Sequence, residues 1–156
     1  MKRWLLTLAL LSSWGHVLTP AALAAEPRLV LVASVNSTVS AMSVEKVKEL
    51  YLVVPMFSDG KAIKPLLNYS DSFTQETFMQ KVMLMSTQAY ERQILARIFR
   101  MGGNRPPVYA GLTKLINALK ADPTTVSYMY SDEANAHPDI RIVGTLWSKE
   151  AEEADE

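Results

Sequence analysis

Four side chains between Asn68 and Thr74 are the ones in this sequence best suited to hold a small ligand. Asn68 carries an amide, and Ser70, Ser72 and Thr74 carry hydroxyl groups. A short apolar run ends here and a long amphipathic pattern begins, so a strand followed by a helix would place these groups around a helix N-terminus. The free N–H groups and the positive end of the helix dipole at such a position favour an anion. The alternative is structural, because Ser72 and Gln75 form a Ser-x-x-Gln capping box in which Ser72 only caps the helix.

The sequence holds few residues for catalysis or metal binding. It has no cysteine, and its two histidines are His16, within an expected leader, and His137, beside Pro138 in an expected loop. Paired histidines, a Gly-x-Ser-x-Gly elbow and the glycine-rich motifs of nucleotide-binding proteins are all absent from the sequence. We therefore expect a protein that is not an enzyme and that uses no metal ion and no cofactor.

The first 25 residues are typical of a signal peptide. Two cations, Lys2 and Arg3, precede a short apolar run, and a small-x-small cleavage pattern follows. We expect cleavage near Ala24 or Ala25, which predicts a periplasmic protein without stable membrane insertion after cleavage. An uncleaved anchor is the alternative, although the apolar run is short for a permanent membrane span.

The remainder of the chain predicts one domain. Residues 26–147 are enough for a single core, and the acidic segment 148–156 is expected to be a disordered tail. The whole chain has 16 basic and 16 acidic residues, and loss of the two leader cations leaves 14 against 16, a net charge of about −2. This balance lacks the excess of basic residues that is typical of nucleic-acid-binding proteins. An exported chain without cysteine suits a bacterial periplasm.

Hydrophobic periodicity predicts the element order β-α-β-α-α-α-β-β. Asp59-Gly60 predicts a turn between the first helix and the second strand, and Gly102-Gly103 is expected to end the third helix. The predicted strands are 28–33, 62–67, 126–130 and 140–143. The predicted helices begin at Val44 after Ser43, directly after Ser72, at Ser86 or Thr87, and at Leu112. This mixture predicts an α/β fold in which helices cover a small mixed sheet.

Four segments of the chain, in this order, resemble landmarks of phosphate-type periplasmic substrate-binding proteins. The segments are 43–52, 57–61, 70–74 and 123–128, and they are similar in turn to a helix ending "Asp-Ile-Phe/Tyr-Leu-Gly", a "Trp-x-Asp-Gly" turn, "Asp-Gly-Ser-Gly-Thr" and "Pro-Gly-Ala-Ile-Gly-Tyr". The resemblance extends from about residue 28 to residue 145. It implies a short, single-domain relative with the fold of one lobe of a type II periplasmic binding protein. It also implies an anion site at Ser72, Thr74, Ser70 and Asn68.

The chain departs from the family at the residues that would bind phosphate. Asn68 stands where the family has an arginine, and Ser70 stands where it has an aspartate. Phe73 and Ser127 replace family glycines. Loss of the arginine removes the bidentate, charge-assisted part of oxyanion recognition. The resemblance therefore implies weak or altered anion binding.

Three functions follow from the resemblance. The first is an exported binding or sensing module that holds a small phosphate-like anion weakly and docks to an inner-membrane receptor or transporter. The second is the solute-capture subunit of a phosphate-type ABC uptake transporter. The third is an envelope interaction protein that binds no small ligand. None of the three involves nucleic acid.

Overall fold

The computed structural model describes residues 26–154. The predicted signal peptide, residues 1–25, lies outside the described residues, as do Asp155 and Glu156. None of the helices in the described part combines the length and the hydropathy that a bilayer crossing needs.

The described chain contains eight strands, most of them short, and six α-helices. The strands are β1 (Arg28–Ser34), β2 (Phe57–Ser58), β3 (Lys61–Ala62), β4 (Lys64–Pro65), β5 (Leu67–Asn68), β6 (Val108–Tyr109), β7 (Thr125–Tyr130) and β8 (Ile140–Ser148). The helices are α1 (Val44–Tyr51), α2 (Ser72–Thr77), α3 (Thr87–Met101), α4 (Leu112–Ala121), α5 (Ser131–Asn135) and α6 (Lys149–Ala154). A π-helical turn, Phe78–Val82, follows α2 directly.

The main sheet has the strand order β4-β7-β1-β8. β1 runs antiparallel to both β7 and β8, whereas β4 runs parallel to β7. β2 and β3 form a hairpin, and β5 pairs with β6 in parallel. This arrangement confirms the predicted small mixed sheet.

Helices cover both faces of the sheet, and β1 contributes to the core on each side. Leu29 and Leu31 lie in a core with side chains of α1, the π-helical turn and α3. Val30 and Val32 lie in a second core with side chains of α4 and α5. Alternate strand residues point to opposite faces, so a run that is apolar at every position is what a strand covered on both sides requires.

Several local predictions are confirmed. β1 and α4 begin at the predicted residues. The Ser43 hydroxyl accepts the Lys46 N–H at 3.4 Å at the start of α1, and the Ser86 hydroxyl accepts the Ala89 N–H at 3.2 Å at the start of α3. Asp59 has a positive φ of 48° at the β2–β3 turn, as does Gly60, which confirms the turn.

The predicted strand over 62–67 is wrong as a continuous element. The chain changes partner at almost every step, because the N–H of Ile63 bonds to the Met56 carbonyl while that of Leu66 bonds to Val126. The structure therefore has three two-residue strands, β3, β4 and β5, where the apolar run predicted one.

The C-terminal predictions also need correction. β8 continues through Ser148, beyond the predicted end at Val143. The segment expected to be a disordered tail forms α6 as far as Ala154. Its Glu152 carboxylate accepts a hydrogen bond from Trp147 Nε1 at 3.0 Å and pairs with Lys81, and these contacts attach the acidic segment to the domain. α5 was not predicted at all.

Candidate functional site

Asn68 is completely buried at the end of β5 and uses its amide inside the protein. Its Nδ2 donates to the Tyr128 carbonyl at 2.9 Å. Its Oδ1 accepts both the N–H of Ser70, at 3.1 Å, and the Ser70 hydroxyl. The Tyr128 hydroxyl in turn donates to the Asn68 carbonyl at 3.2 Å. Asn68 and Ser70 thus tie the loop before α2 to the central strand β7.

Asp71 caps α2, and the predicted capping role of Ser72 is wrong. Asp71 Oδ2 accepts the N–H of Thr74 at 2.8 Å and the Thr74 hydroxyl at 2.9 Å. Ser72 lies one residue too late to do this, because it is already the first residue of the helix. The hydrogen bonds from the Thr74 N–H and hydroxyl hold the pKa of the Asp71 carboxyl below its ordinary value.

The four predicted site residues lie close together but do not present four free groups. The polar side-chain groups of Asn68, Ser70 and Thr74 are engaged in the contacts above, and Thr74 is buried. Ser72 is exposed, and its hydroxyl makes no hydrogen bond to the other residues that the structure describes. Ser72 is therefore the predicted residue best placed to meet a ligand from solvent.

A cleft of about 490 Å³ opens beside the N-terminus of α2. Its walls come from the start of β1, the first turn of α2, the end of β7 and helix α5. Phe73 stands on one wall with 64% of its surface exposed. Its ring stacks on Tyr130, with the ring centroids 5.7 Å apart and the planes 11° from parallel. An aromatic wall thus occupies the position at which the resembling family has a glycine.

The charges that line this cleft are mainly negative. Asp71, Asp132 and Glu133 contribute three carboxylates, and Arg28 contributes the one lining cation among the described residues. Burial raises the pKa of Glu133; His137 opposes this rise, while the negative charge of Asp132 adds to it. An anion in this cleft would meet net repulsion, which the N-terminus of a single short helix offsets only in part.

Arg105 does not supply the charge that the missing family arginine would have provided. It pairs with Glu91 on α3 and lines a different, largely apolar cleft. The nearby Tyr69 hydroxyl is buried without a hydrogen-bond partner among the described residues. Burial, and secondarily the charge of Glu91, raises the pKa of Tyr69, and Arg105 acts in the opposite direction.

Ser127 also has a structural role. It stands where the resembling family has the glycine of "Ile-Gly-Tyr", and it is completely buried in β7. Its hydroxyl donates to the Leu66 carbonyl at 3.0 Å, and the Tyr51 hydroxyl donates to the same oxygen at 3.1 Å. The side chain therefore joins β7 to the segment between β4 and β5.

Two solved structures have the architecture described above. One is an ABC-type phosphate transport receptor from Vibrio cholerae, with a TM-score of 0.57 and 11% identity over 75% of this chain and 45% of that one. The other is PstS from Borrelia burgdorferi, with a TM-score of 0.56 and 10% identity over 83% of this chain and 52% of that one. The chain has the fold of about half of a phosphate-transport receptor. The fold that the resemblance implied is thereby confirmed.

The likeness is one of fold, and it covers part of the larger proteins. This chain spans about half the length of each phosphate receptor that it matches. No family model and no curated protein matches the sequence. A likeness of fold alone does not identify what the cleft beside α2 binds. That question depends on the side chains that line the cleft.

Of the four predicted site residues only Thr74 lines this cleft, so sequence reasoning found its edge at the start of α2 and missed the opposite side. The stretch from Asn68 to Thr74 pointed to the N-terminus of α2. Tyr130, Asp132 and Glu133 were missed, because they lie some 60 residues later at the end of β7 and on the unpredicted helix α5. The adjacent acids Asp132 and Glu133 were the one visible signal. The hydrogen bonds between Asn68 and Tyr128 hold β7 against the loop before α2, and the end of β7 and α5 then line the same cleft as Asp71.

Within the described residues, no group of three or more histidine and acidic side chains has an arrangement that could hold a metal ion. The three carboxylates of the cleft set the sign of its electrostatic potential.

Proposed function

We propose that the chain is an exported, periplasmic binding module of phosphate-receptor fold. It holds small anions weakly or with altered specificity, and it acts by docking to a receptor or transporter at the inner membrane. The observation that supports this proposal best is the acidic lining of the cleft beside α2. A module built for tight phosphate capture would place positive charge and free donors at this position.

The hydrogen bonds of the site support the same conclusion. Each donor that Asn68 and Thr74 use within the protein is unavailable to a ligand unless the loop rearranges, and a rearrangement would break the links to Tyr128 and Asp71. Because Asp71 already accepts the Thr74 N–H, only Ser72 and the N–H groups ahead of Thr74 remain for an anion. Few donors and a repulsive lining predict affinity for phosphate no tighter than about 1 mM.

Titration calorimetry with phosphate and with sulfate tests the anion part. The unmodified protein should give little heat at micromolar ligand. Replacing two carboxylates, as Asp132→Asn with Glu133→Gln, should strengthen anion binding by about tenfold or more, because two repulsive charges leave the cleft. The matched control is Glu45→Gln with Glu49→Gln on α1, which removes the same charge away from the cleft and should change little.

A second candidate function is solute capture for a phosphate-type uptake transporter. The fold shared with two phosphate-transport proteins favours it. Phosphate affinity tighter than about 10 µM in the unmodified protein would establish this function and refute the weak site. Absence of any anion response, both in the unmodified protein and in the cleft variant, would leave an envelope interaction protein without a small ligand.

Export is tested separately from ligand binding. Osmotic-shock fractionation should release the protein with the periplasmic contents, and N-terminal sequencing of the released protein should begin at Ala25 or Glu26. A protein that stays with the membrane fraction and begins at Met1 would support the uncleaved anchor.

A further inference from the structure

Helix α3 presents bulky apolar side chains to solvent on the side opposite its buried face. Tyr90 and Ile94 are completely buried and attach the helix to the core. Leu95 and Phe99, one turn apart, are 64% and 92% exposed. A phenylalanine that is almost fully exposed one helical turn from an exposed leucine marks a surface that gains from being covered.

The apolar side chains lie between cations. Arg92, Leu95, Ala96 and Phe99 have the spacing i, i+3, i+4 and i+7 and so share one side of the helix, and Arg100 borders the same side. All five are exposed or project to solvent. The α3 face, as we call these five residues, contains no acidic residue.

The one acidic residue of α3 is electrostatically compensated. Glu91 lies at the border between the buried side and the α3 face, and its carboxylate pairs with Arg105 from the following loop. The α3 face therefore carries a local positive charge, although the chain as a whole has equal numbers of basic and acidic residues.

We propose that the α3 face binds an anionic lipid surface. Phe99 and Leu95 enter the boundary between headgroups and acyl chains, while Arg92 and Arg100 extend to the lipid phosphates. Apolar side chains with flanking cations on one helix face are what an interfacial helix requires. The proposal rests on the proposed function in one respect, namely that export brings the protein to a membrane surface.

The same charges disfavour a second copy of this chain as the occupant. In a two-fold symmetric contact each α3 face would meet its own copy, which brings the arginines of both copies together. Five side chains also cover much less than the roughly 800 Å² per partner of a stable interface. A lipid surface needs neither a large area nor a complementary shape, and it supplies the opposite charge.

The direct test is co-sedimentation of the purified exported protein with vesicles. The protein should sediment with vesicles of phosphatidylethanolamine and phosphatidylglycerol at low salt, and not with vesicles of phosphatidylcholine alone. Raising the salt to about 0.5 M should release it, because screening weakens attraction between exposed charges. A protein that stays in solution with anionic vesicles at low salt would overturn the proposal.

Variants assign the binding to the α3 face. Leu95→Ser with Phe99→Ser should lower the vesicle affinity by about tenfold or more, and Arg92→Gln with Arg100→Gln should lower it by about fivefold per arginine. The matched controls are Phe57→Ser, a phenylalanine that is 66% exposed on β2, and Lys46→Gln with Lys48→Gln on α1. Because all these side chains lie at the surface, unchanged thermal unfolding should show that each variant is folded.

Two outcomes would refute the assignment. Equal losses in the control variants and the α3 variants would mean that no particular face binds the vesicles. A photo-crosslinker at position 99 that reacts with one protein in intact cells, while the purified protein ignores anionic vesicles, would identify the α3 face as a protein contact. Phosphate calorimetry does not depend on this face, so failure of the lipid proposal and failure of the proposed function are distinguishable.

Discussion

Replacing Asn68 by alanine separates the two roles that this residue could have. The substitution removes the donor to the Tyr128 carbonyl and the acceptor for the N–H and hydroxyl of Ser70. Three hydrogen bonds at about 1 kcal/mol each predict a loss of about 3 kcal/mol in the free energy of unfolding. Because the site is completely buried, groups left without a partner should bring the loss to about 4 kcal/mol.

Urea denaturation, followed by circular dichroism, measures this loss. The midpoint should fall while the dependence on urea stays the same, since the surface exposed on unfolding hardly changes. Ser72→Ala is the matched control from the same loop. Its side chain is exposed, so its free energy of unfolding should stay within about 0.5 kcal/mol of the unmodified protein.

Asn68→Asp adds a pH dependence with a defined sign. The substituted carboxyl is completely buried and faces the Tyr128 carbonyl, so its folded-state pKa should lie above the unfolded value of about 3.9, although the Ser70 N–H and hydroxyl oppose part of the rise. Between the two pKa values the unfolded state has lost a proton that the folded state keeps. Stability should therefore fall by about 1.4 kcal/mol per pH unit as the pH rises above about 4, whereas the unmodified protein lacks this slope.

A stable Asn68→Ala variant would refute this account of the residue. If its unfolding free energy stays within about 0.5 kcal/mol of the control while a measurable phosphate response disappears, Asn68 contacts the ligand and the link to Tyr128 contributes nothing. If stability falls as expected and any anion response of the folded variant survives, Asn68 is a structural residue.

Two further predictions concern other polar contacts. Tyr69→Phe should leave the free energy of unfolding unchanged or raise it, because it removes a buried hydroxyl without a partner among the described residues. Tyr90→Phe should lower the free energy of unfolding by about 1 kcal/mol, because it removes a 2.8 Å hydrogen bond to the Tyr51 carbonyl. Chemical denaturation of the two variants side by side measures the difference. Hydrogen bonds from Lys64, and then from the hydroxyl and N–H of Thr124, lower the pKa of Asp122 from 3.8 to about 2, so Asp122 should contribute stability above about pH 4 that is lost as the pH falls toward 2. The exposure of the Lys64–Asp122 ion pair limits this contribution to about 1 kcal/mol. The prediction is wrong if the free energy of unfolding of an Asp122→Asn variant declines in acid by as much as that of the unmodified protein.

The elements that sequence reasoning predicted well depend on neighbours within one or two turns. Ser43 and Ser86 cap helices through N–H groups three residues further on, and that relation is visible in the sequence. The continuous apolar run of β1 likewise indicates a strand covered on both faces. The fold class followed from the order of such elements, because a mixed set of strands and helices has few ways to bury its apolar faces.

The errors occur where two local solutions compete. Asp71 and Ser72 are both residue types that cap helices well. Which of them caps α2 depends on the position of the backbone after Asn68, and the hydrogen bond from Asn68 to Tyr128 on β7 sets that position. Similarly, the run 62–67 has strand-forming residues throughout, but it meets β2, β7 and β6 in turn. Helix α6 forms from an acidic segment because Lys81 and Trp147 contact Glu152.

The sequence by itself determined the class of fold, the starts of α1, α3 and α4, and the stretch from Asn68 to Thr74 as the place to examine. Tertiary structure alone decided what that stretch can do. It brings in Tyr128, 60 residues away, to occupy the amide of Asn68, and it places the carboxylates of α5 opposite Asp71. Electrostatic interactions and hydrogen bonds act over a few ångströms in space, irrespective of separation along the chain. The sign of the charge that lines the cleft is therefore a property of the folded arrangement.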